Sequence, residues 1–176
     1  MSLFSEALGA DWAALPASVR AFHEGPATRF RGEARVERGT NRLARRIAGA
    51  FGFPPSAETV PVTIAIAREG HVERWHRDFG GHALSTRLAP AGPGRVREHV
   101  GPSAFDLALV VRDGRLHLDV AAGRLGRLPL PGVLLPLSEA VEFATDDGAF
   151  GFDIAVALRG LGPMIRYRGR LVAEDA

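Results

Sequence analysis

The sequence predicts a mainly β (α+β) fold. About ten antiparallel strands form a meander closed or half-closed as a barrel, with an N-terminal helix and one helix inserted after the first strand. Three observations predict it. Apolar and polar residues alternate with period two over most of the chain. Four residue pairs with turn chemistry (Glu69-Gly70, Gly80-Gly81, Asp113-Gly114 and Asp147-Gly148) separate such runs at hairpin spacing. Helical periodicity is confined to two segments in the first third of the chain.

The first helical segment covers residues 3–23. Leu3, Phe4, Ala7 and Leu8 recur at helical spacing, Asp11 can cap a second turn, and Leu15-Pro16 leads into Val19, Ala21 and Phe22. Residues 27–37 then alternate. Phe30, Gly32, Ala34 and Val36 share one face; Arg29, Arg31, Glu33, Arg35 and Glu37 share the other. A helix follows from Asn41 to Phe51, with Thr40 or Asn41 as N-cap and Leu43, Ile47 and Phe51 as its apolar stripe; Gly52 and Pro54-Pro55 stop it. Strand-like runs occupy about 60–68, 71–79, 82–88, 95–100, 104–112, 115–121, 136–145, 149–159 and 163–173. Residues 89–94 and 122–135 read as loops, and the Leu-Pro-Leu-Pro-Gly run at 128–132 suits a flap or lid. With 176 residues and no linker or repeat, the expectation is a single domain over 1–176.

Two-residue hairpin loops fix which side chains share a face. Across Glu69-Gly70 the pairing predicted is Ile66 with Glu73, Ile64 with Trp75, Val62 with Arg77 and Val60 with Phe79. Gly80-Gly81 sets Arg77 opposite Leu84 and Trp75 opposite Thr86. Asp113-Gly114 joins Val111 to Leu116, Leu109 to Leu118 and Leu107 to Val120. Asp147-Gly148 joins Phe143 to Phe152, Val141 to Ile154 and Glu139 to Val156. A three-residue loop would flip one strand. This register leaves Glu73, Arg77 and Glu139 on the apolar inner face, with Glu98 if Val96 and Val100 point inward. Inward charges cost several kcal/mol unless paired. Either they close a buried network, or they orient the polar head of a ligand, for which an inward arginine suits a carboxylate or phosphate.

Composition removes several kinds of chemistry. There is no cysteine, hence no disulfide, thiol nucleophile or thiolate metal site. There is no lysine either; all 22 basic residues are arginine, which excludes a P-loop or Schiff-base lysine. Arginine raises the isoelectric point to 10.2 although net charge is only +2, so nucleic-acid binding is not implied. No G-x-S-x-G or G-x-G-x-x-G motif occurs. His76 and Asp78 share a strand face that reads as solvated. The basic run from Arg29 to Arg46 could attract nucleic acid or an anionic membrane surface, but it lacks interleaved aromatics and alternation already explains it as surface. No apolar run reaches the roughly 18 residues of a membrane span. With Glu6 and Asp11 in an N-terminus that has no basic lead-in, a cytoplasmic protein is expected. No metal or cofactor is expected.

Several segments carry a family resemblance: Leu3-Phe4 through Leu15-Pro16 with Val19-Arg20, Phe51-Gly52-Phe53-Pro54, the run from Glu73 through Trp75 and Arg77 to Gly81, the run from Val110 to Leu116, and Arg166-Tyr167-Arg168-Gly169. Together they resemble the bacterial family catalogued as domain of unknown function 4166. No catalytic residue is implied. Members occur alone or fused behind nicotinamide-dependent reductase-like domains, which implies an accessory or substrate-binding role beside a separate reductase-like protein. The order of strand, helix and antiparallel run is also similar to intracellular lipid-binding, calycin-like barrels. The expectation is therefore a module binding a small hydrophobic or amphipathic ligand, with Glu73, Trp75, Arg77, Glu98, Glu139 and Tyr167 as ligand-binding residues. An enzyme using Glu73, Glu98 or Glu139 as general acid or base, and a protein-interaction module, are the alternatives.

Overall fold

The computed structural model describes residues 2–26 and 28–174. Two short α-helices, α1 (Leu3–Leu8) and α2 (Ala17–Glu24), flank a 3-10 segment at Gly9–Ala14. The first strand is β1 (Arg29–Arg38), followed by helix α3 (Arg42–Ala50). Nine strands form the rest of the barrel wall or its rim before the last element: β2 (Ala57–Glu69), β3 (Val72–Phe79), β4 (His82–Pro90), β5 (Arg95–Val100), β6 (Ser103–Arg112), β7 (Arg115–Leu125), the two-residue β8 (Leu128–Pro129), β9 (Leu137–Ala144) and β10 (Phe150–Leu158). The chain ends in β11 (Gly162–Ala173).

All pairings are antiparallel. The order β6-β5-β4-β3-β2-β1-β11-β10-β9-β7, with β6 also paired to β7, closes ten strands into a barrel, and β8 is an extra strand on β7. Closure leaves the barrel no free edge. Alternation along β1 is sharp: Phe30, Ala34 and Val36 are buried while Arg29, Arg31, Glu33 and Arg35 are exposed.

The barrel has two unlike ends. At one, α1 and α2 form a plug. Ser2 caps α1 through a reciprocal bond with Ser5, and the Gly94 N–H donates to Ala7 O at 2.8 Å. Phe4 and Phe22 are fully buried, and Phe22 stacks on Phe150 at 3.9 Å. The other end carries α3 and the segment between β7 and β9.

Several sequence expectations need correction. The first hairpin turns at Gly70-His71, since Glu69 pairs with Val72; Ile66 lies opposite Trp75, Ile64 opposite Arg77 and Val62 opposite Phe79. The slip is two residues, so the faces survive. At Gly80-Gly81 and Asp113-Gly114 the pairing is as expected, and Asp113 and Gly114 both take positive φ (51° and 68°), matching the strand twist. In α3 the buried face is Ala44 and Ala48, whose small side chains let the helix lie against β11. Leu43 is exposed, while Ile47 and Phe51 are half-buried. Part of the expected 122–135 loop is strand, because β7 runs on to Leu125 and pairs with β8.

The largest correction concerns β9. The Thr145 N–H donates to Ala149 O at 2.9 Å, enclosing a three-residue turn. Phe143 therefore pairs with Gly151 and Glu142 with Phe152. Every β9 side chain is turned over relative to the two-residue register. Ala140 and Glu142 face in, Leu137 and Glu139 are exposed, and the Phe143 ring covers Gly151 on the outside.

Candidate functional site

A cavity of about 400 Å³ occupies the barrel interior. Its wall is mostly apolar, with Ile64, Trp75, Phe79, Leu107, Phe152 and Met164 among the contributors. The plug residues Phe4 and Phe22 floor it. Ile47 and Phe51 on one side, and Leu125, Leu130 and Leu134 on the other, reach it from the opposite end.

Arg77 brings charge into this interior because β3 alternates strictly, placing it between Trp75 and Phe79 on the inner face. Its Nη1 donates to Thr86 Oγ1 at 2.8 Å and its Nη2 to Glu98 Oε1 at 3.4 Å. The guanidinium carbon sits 4.7 Å from the Trp75 ring centroid, a cation–π contact. The Arg77 and Glu98 side chains are 12% and 21% exposed, so the pair is well shielded. An arginine has five N–H donors. Arg77 directs only two of its nitrogens to acceptors among the described residues, and the contact to its carboxylate is long.

Tyr167 lines the same cavity, in edge contact with Phe79 at 5.3 Å. Burial pushes its phenol up to about 12; Arg77 opposes the rise, and Glu98 and Glu142 add to it. No hydrogen bond to its hydroxyl occurs among the described residues.

Trp75, Arg77, Glu98 and Tyr167 thus meet around one cavity. Glu73 does not. It is buried but lies outside the lining, accepting the Trp75 Nε1–H at 2.8 Å and facing Arg68 Nε at 3.7 Å. Arg68 in turn donates to the Phe22 and His23 carbonyls at the end of α2. Glu73 therefore fixes the indole and ties the plug to the wall. Glu139 is outside the barrel altogether, a consequence of the β9 flip.

Sequence reasoning missed Glu142 and His23. Glu142 takes the inward place expected for Glu139, and its Oε2 lies 2.6 Å from His23 Nε2, with His23 completely buried. The His23 ring lies tilted against Phe4, with centroids 3.8 Å apart, and its Nδ1 has no partner among the described residues. The signal was a lone histidine in the apolar α2 segment, together with the possibility of an odd-numbered turn at Asp146-Asp147-Gly148.

Other candidates separate. His76 Nδ1 bonds Ser85 Oγ at 2.8 Å, whereas Asp78 accepts the Gly81 N–H, so the two do not converge. Arg166, Arg168 and Arg170 form surface ion pairs with Asp153, Glu37 and Asp147. Among the described residues, no group of three or more histidines or carboxylates is placed to hold a metal ion.

The family model described as "Domain of unknown function (DUF4166)" matches residues 15–171. The chain belongs to this family. The match spans the barrel from Leu15, just before α2, to Leu171 in β11, so the DUF4166 region contains all of the cavity's polar lining and all of its apolar lining except Phe4. No curated protein matches the chain. Among solved structures, this DUF4166 barrel is similar to the one titled "Crystal Structure of Rv2717c from M. tuberculosis", at 13% identity and a TM-score of 0.49, over 92% of this chain and 99% of that one. No described helix is long and apolar enough to cross a membrane.

Proposed function

We propose that the protein binds a small amphipathic molecule, its apolar part within the barrel and an anionic group on Arg77. The observation that carries this reading is a shielded arginine on a mostly apolar cavity wall, with only two of its nitrogens engaged among the described residues. The volume of about 400 Å³ lies in the range of roughly 300–1,000 Å³ usual for ligand sites. A ligand carboxylate or phosphate would meet the remaining guanidinium donors in a medium of low dielectric, where charge-assisted bonds are strong. Thr86 and the Trp75 face hold the guanidinium in place before the ligand arrives.

The enzyme reading has less support. Glu73 is committed to Trp75, Glu98 faces Arg77, and Glu139 is in solvent.

Titration of delipidated protein with dodecanoate and with dodecanol tests the proposal, with native mass spectrometry before and after delipidation. Dodecanoate should bind more tightly. Arg77→Met should weaken dodecanoate about 10- to 100-fold, as expected for loss of a hydrogen bond to a charged group of about 1.5–3 kcal/mol. Dodecanol affinity should change little. Equal affinity of the native protein for the two probes, or no binding of either, would overturn the reading.

A further inference from the structure

The strand connections at the two barrel ends differ in charge. Those at the end opposite the plug, termed the open end, are residues 39–56, 80–81, 101–102, 126–136 and 159–161. They contain five arginines (Arg42, Arg45, Arg46, Arg127 and Arg159) and no carboxylate. The plug-end connections, residues 2–26 and 28, 70–71, 91–94, 113–114 and 145–149, contain six carboxylates and one arginine. A net charge of +2 for the whole chain hides this polarity.

All five open-end arginines are exposed, and none makes an ion pair among the described residues. On the outer side of α3, Arg42, Arg45 and Arg46 join Arg38 around a single groove. Arg38 is held by the Pro54 and Phe53 carbonyls, and its guanidinium is pushed down by burial and by the charge of Arg45, as expected where cations gather without counter-charges.

Exposed apolar residues gather at the same end. Eight large hydrophobic side chains are exposed among the described residues, and six of them (Leu43, Leu125, Leu128, Val133, Leu134 and Leu137) lie there. Leu128, Val133 and Leu134 are 72%, 70% and 62% exposed. They occupy one short segment, whose Leu130 and Leu134 also line the cavity. Contiguous exposed apolar groups flanked by unpaired cations do not fit a face meant only for water. They do fit the interface of a bilayer, where the acyl boundary takes the leucines and anionic headgroups take the arginines.

We infer that the open end of the barrel, α3 together with the 126–136 segment, docks on an anionic membrane surface. The partner is a phospholipid bilayer, bound peripherally. The end at which Leu130 and Leu134 reach the cavity then faces the lipid, and the acidic plug faces away. The inference rests on surface charge and exposed leucines, so it stands or falls separately from ligand binding at Arg77.

Vesicle flotation of the full chain tests it, comparing phosphatidylcholine alone with phosphatidylcholine and phosphatidylglycerol in roughly equal parts. Binding should require the anionic lipid and should fall sharply at about 1 M salt, where the Debye length is about 3 Å. One arginine near such a surface contributes about fivefold. Arg42→Gln, Arg45→Gln and Arg46→Gln together should therefore weaken binding about 100-fold. Leu128→Asp with Leu134→Asp should abolish it with all arginines in place. Arg20→Gln, Arg95→Gln and Arg112→Gln together, at the plug end, should leave it unchanged. Every substituted side chain is exposed except Arg20, which is half-buried, so circular dichroism should match the native protein. Equal binding to neutral vesicles, no binding to either, equal damage by the plug-end triple variant, or binding to polyribonucleotide without binding to vesicles would overturn the inference.

Discussion

Tyr167 is the one tyrosine in the chain, which makes its ionisation readable without substitution. Its phenol is buried on the cavity wall, and burial drives its pKa from the usual value of 10.0 up to about 12. The unfolded chain therefore releases this proton first. Between about pH 10 and 12 the folded state binds more protons than the unfolded state, so stability falls as pH rises. The contribution is fully present below pH 10 and lost through pH 12. A shift of about two pKa units corresponds to about 3 kcal/mol. Tyrosinate absorbance measured against pH should show a native midpoint near 12, and urea-unfolded protein should titrate near the free value. Urea midpoints across the same range should decline by the linked amount, and Tyr167→Phe should remove that part of the decline. Arginine stays charged throughout, and no lysine contributes. Native absorbance that titrates near 10 would refute the claim that burial in the cavity wall holds the Tyr167 phenol neutral.

Three further outcomes follow from the packing. Glu142→Leu leaves His23 buried without its carboxylate and should cost about 3–5 kcal/mol, or roughly 6–20 °C in Tm for a chain this long; His23→Leu with Glu142→Leu should recover most of it, as measured by thermal unfolding. Gly151→Ala places a Cβ 2.6 Å from the Phe143 ring, which can swing, whereas Gly32→Ala drives one into the Arg170 backbone carbonyl; urea unfolding should find Gly32→Ala the more damaging. Asn41→Ala removes the side chain that caps the Leu43 and Ala44 N–H groups, and should cost about 1 kcal/mol by the same assay.

The barrel was legible because its signals are local. Alternation marks a strand whichever neighbour it finds, and the ten wall strands fall where period two predicts them. Sequence alone said less about which side of a helix faces in. The Leu43, Ile47 and Phe51 stripe is the more hydrophobic edge of α3, yet Ala44 and Ala48 are the residues sealed against the barrel. Close approach of a helix to a sheet favours small side chains. Leu43 was left over, and it joins the exposed apolar rim.

The site turned on the parity of one turn. Glu139 and Glu142 are three apart in β9, so one faces in whenever the other faces out. Hydrophobicity favours Leu137, Val141 and Phe143 as the inner set, and that choice brings Glu139 inside. The three-residue turn after Thr145 reverses it. The reversed register is the one the interior can hold. Ser138 and Ala140 line the cavity together with Phe22, Phe150 and Phe152, and their small side chains leave it open where Leu137 and Val141 would intrude on it. Glu142 is tolerated there because His23 meets it from the plug, and Phe143 finds its surface over Gly151 outside. The polar group at the base of the cavity is therefore set jointly by a turn of β9 and a helix more than a hundred residues away. A hairpin register read from one strand pair at a time does not contain that information.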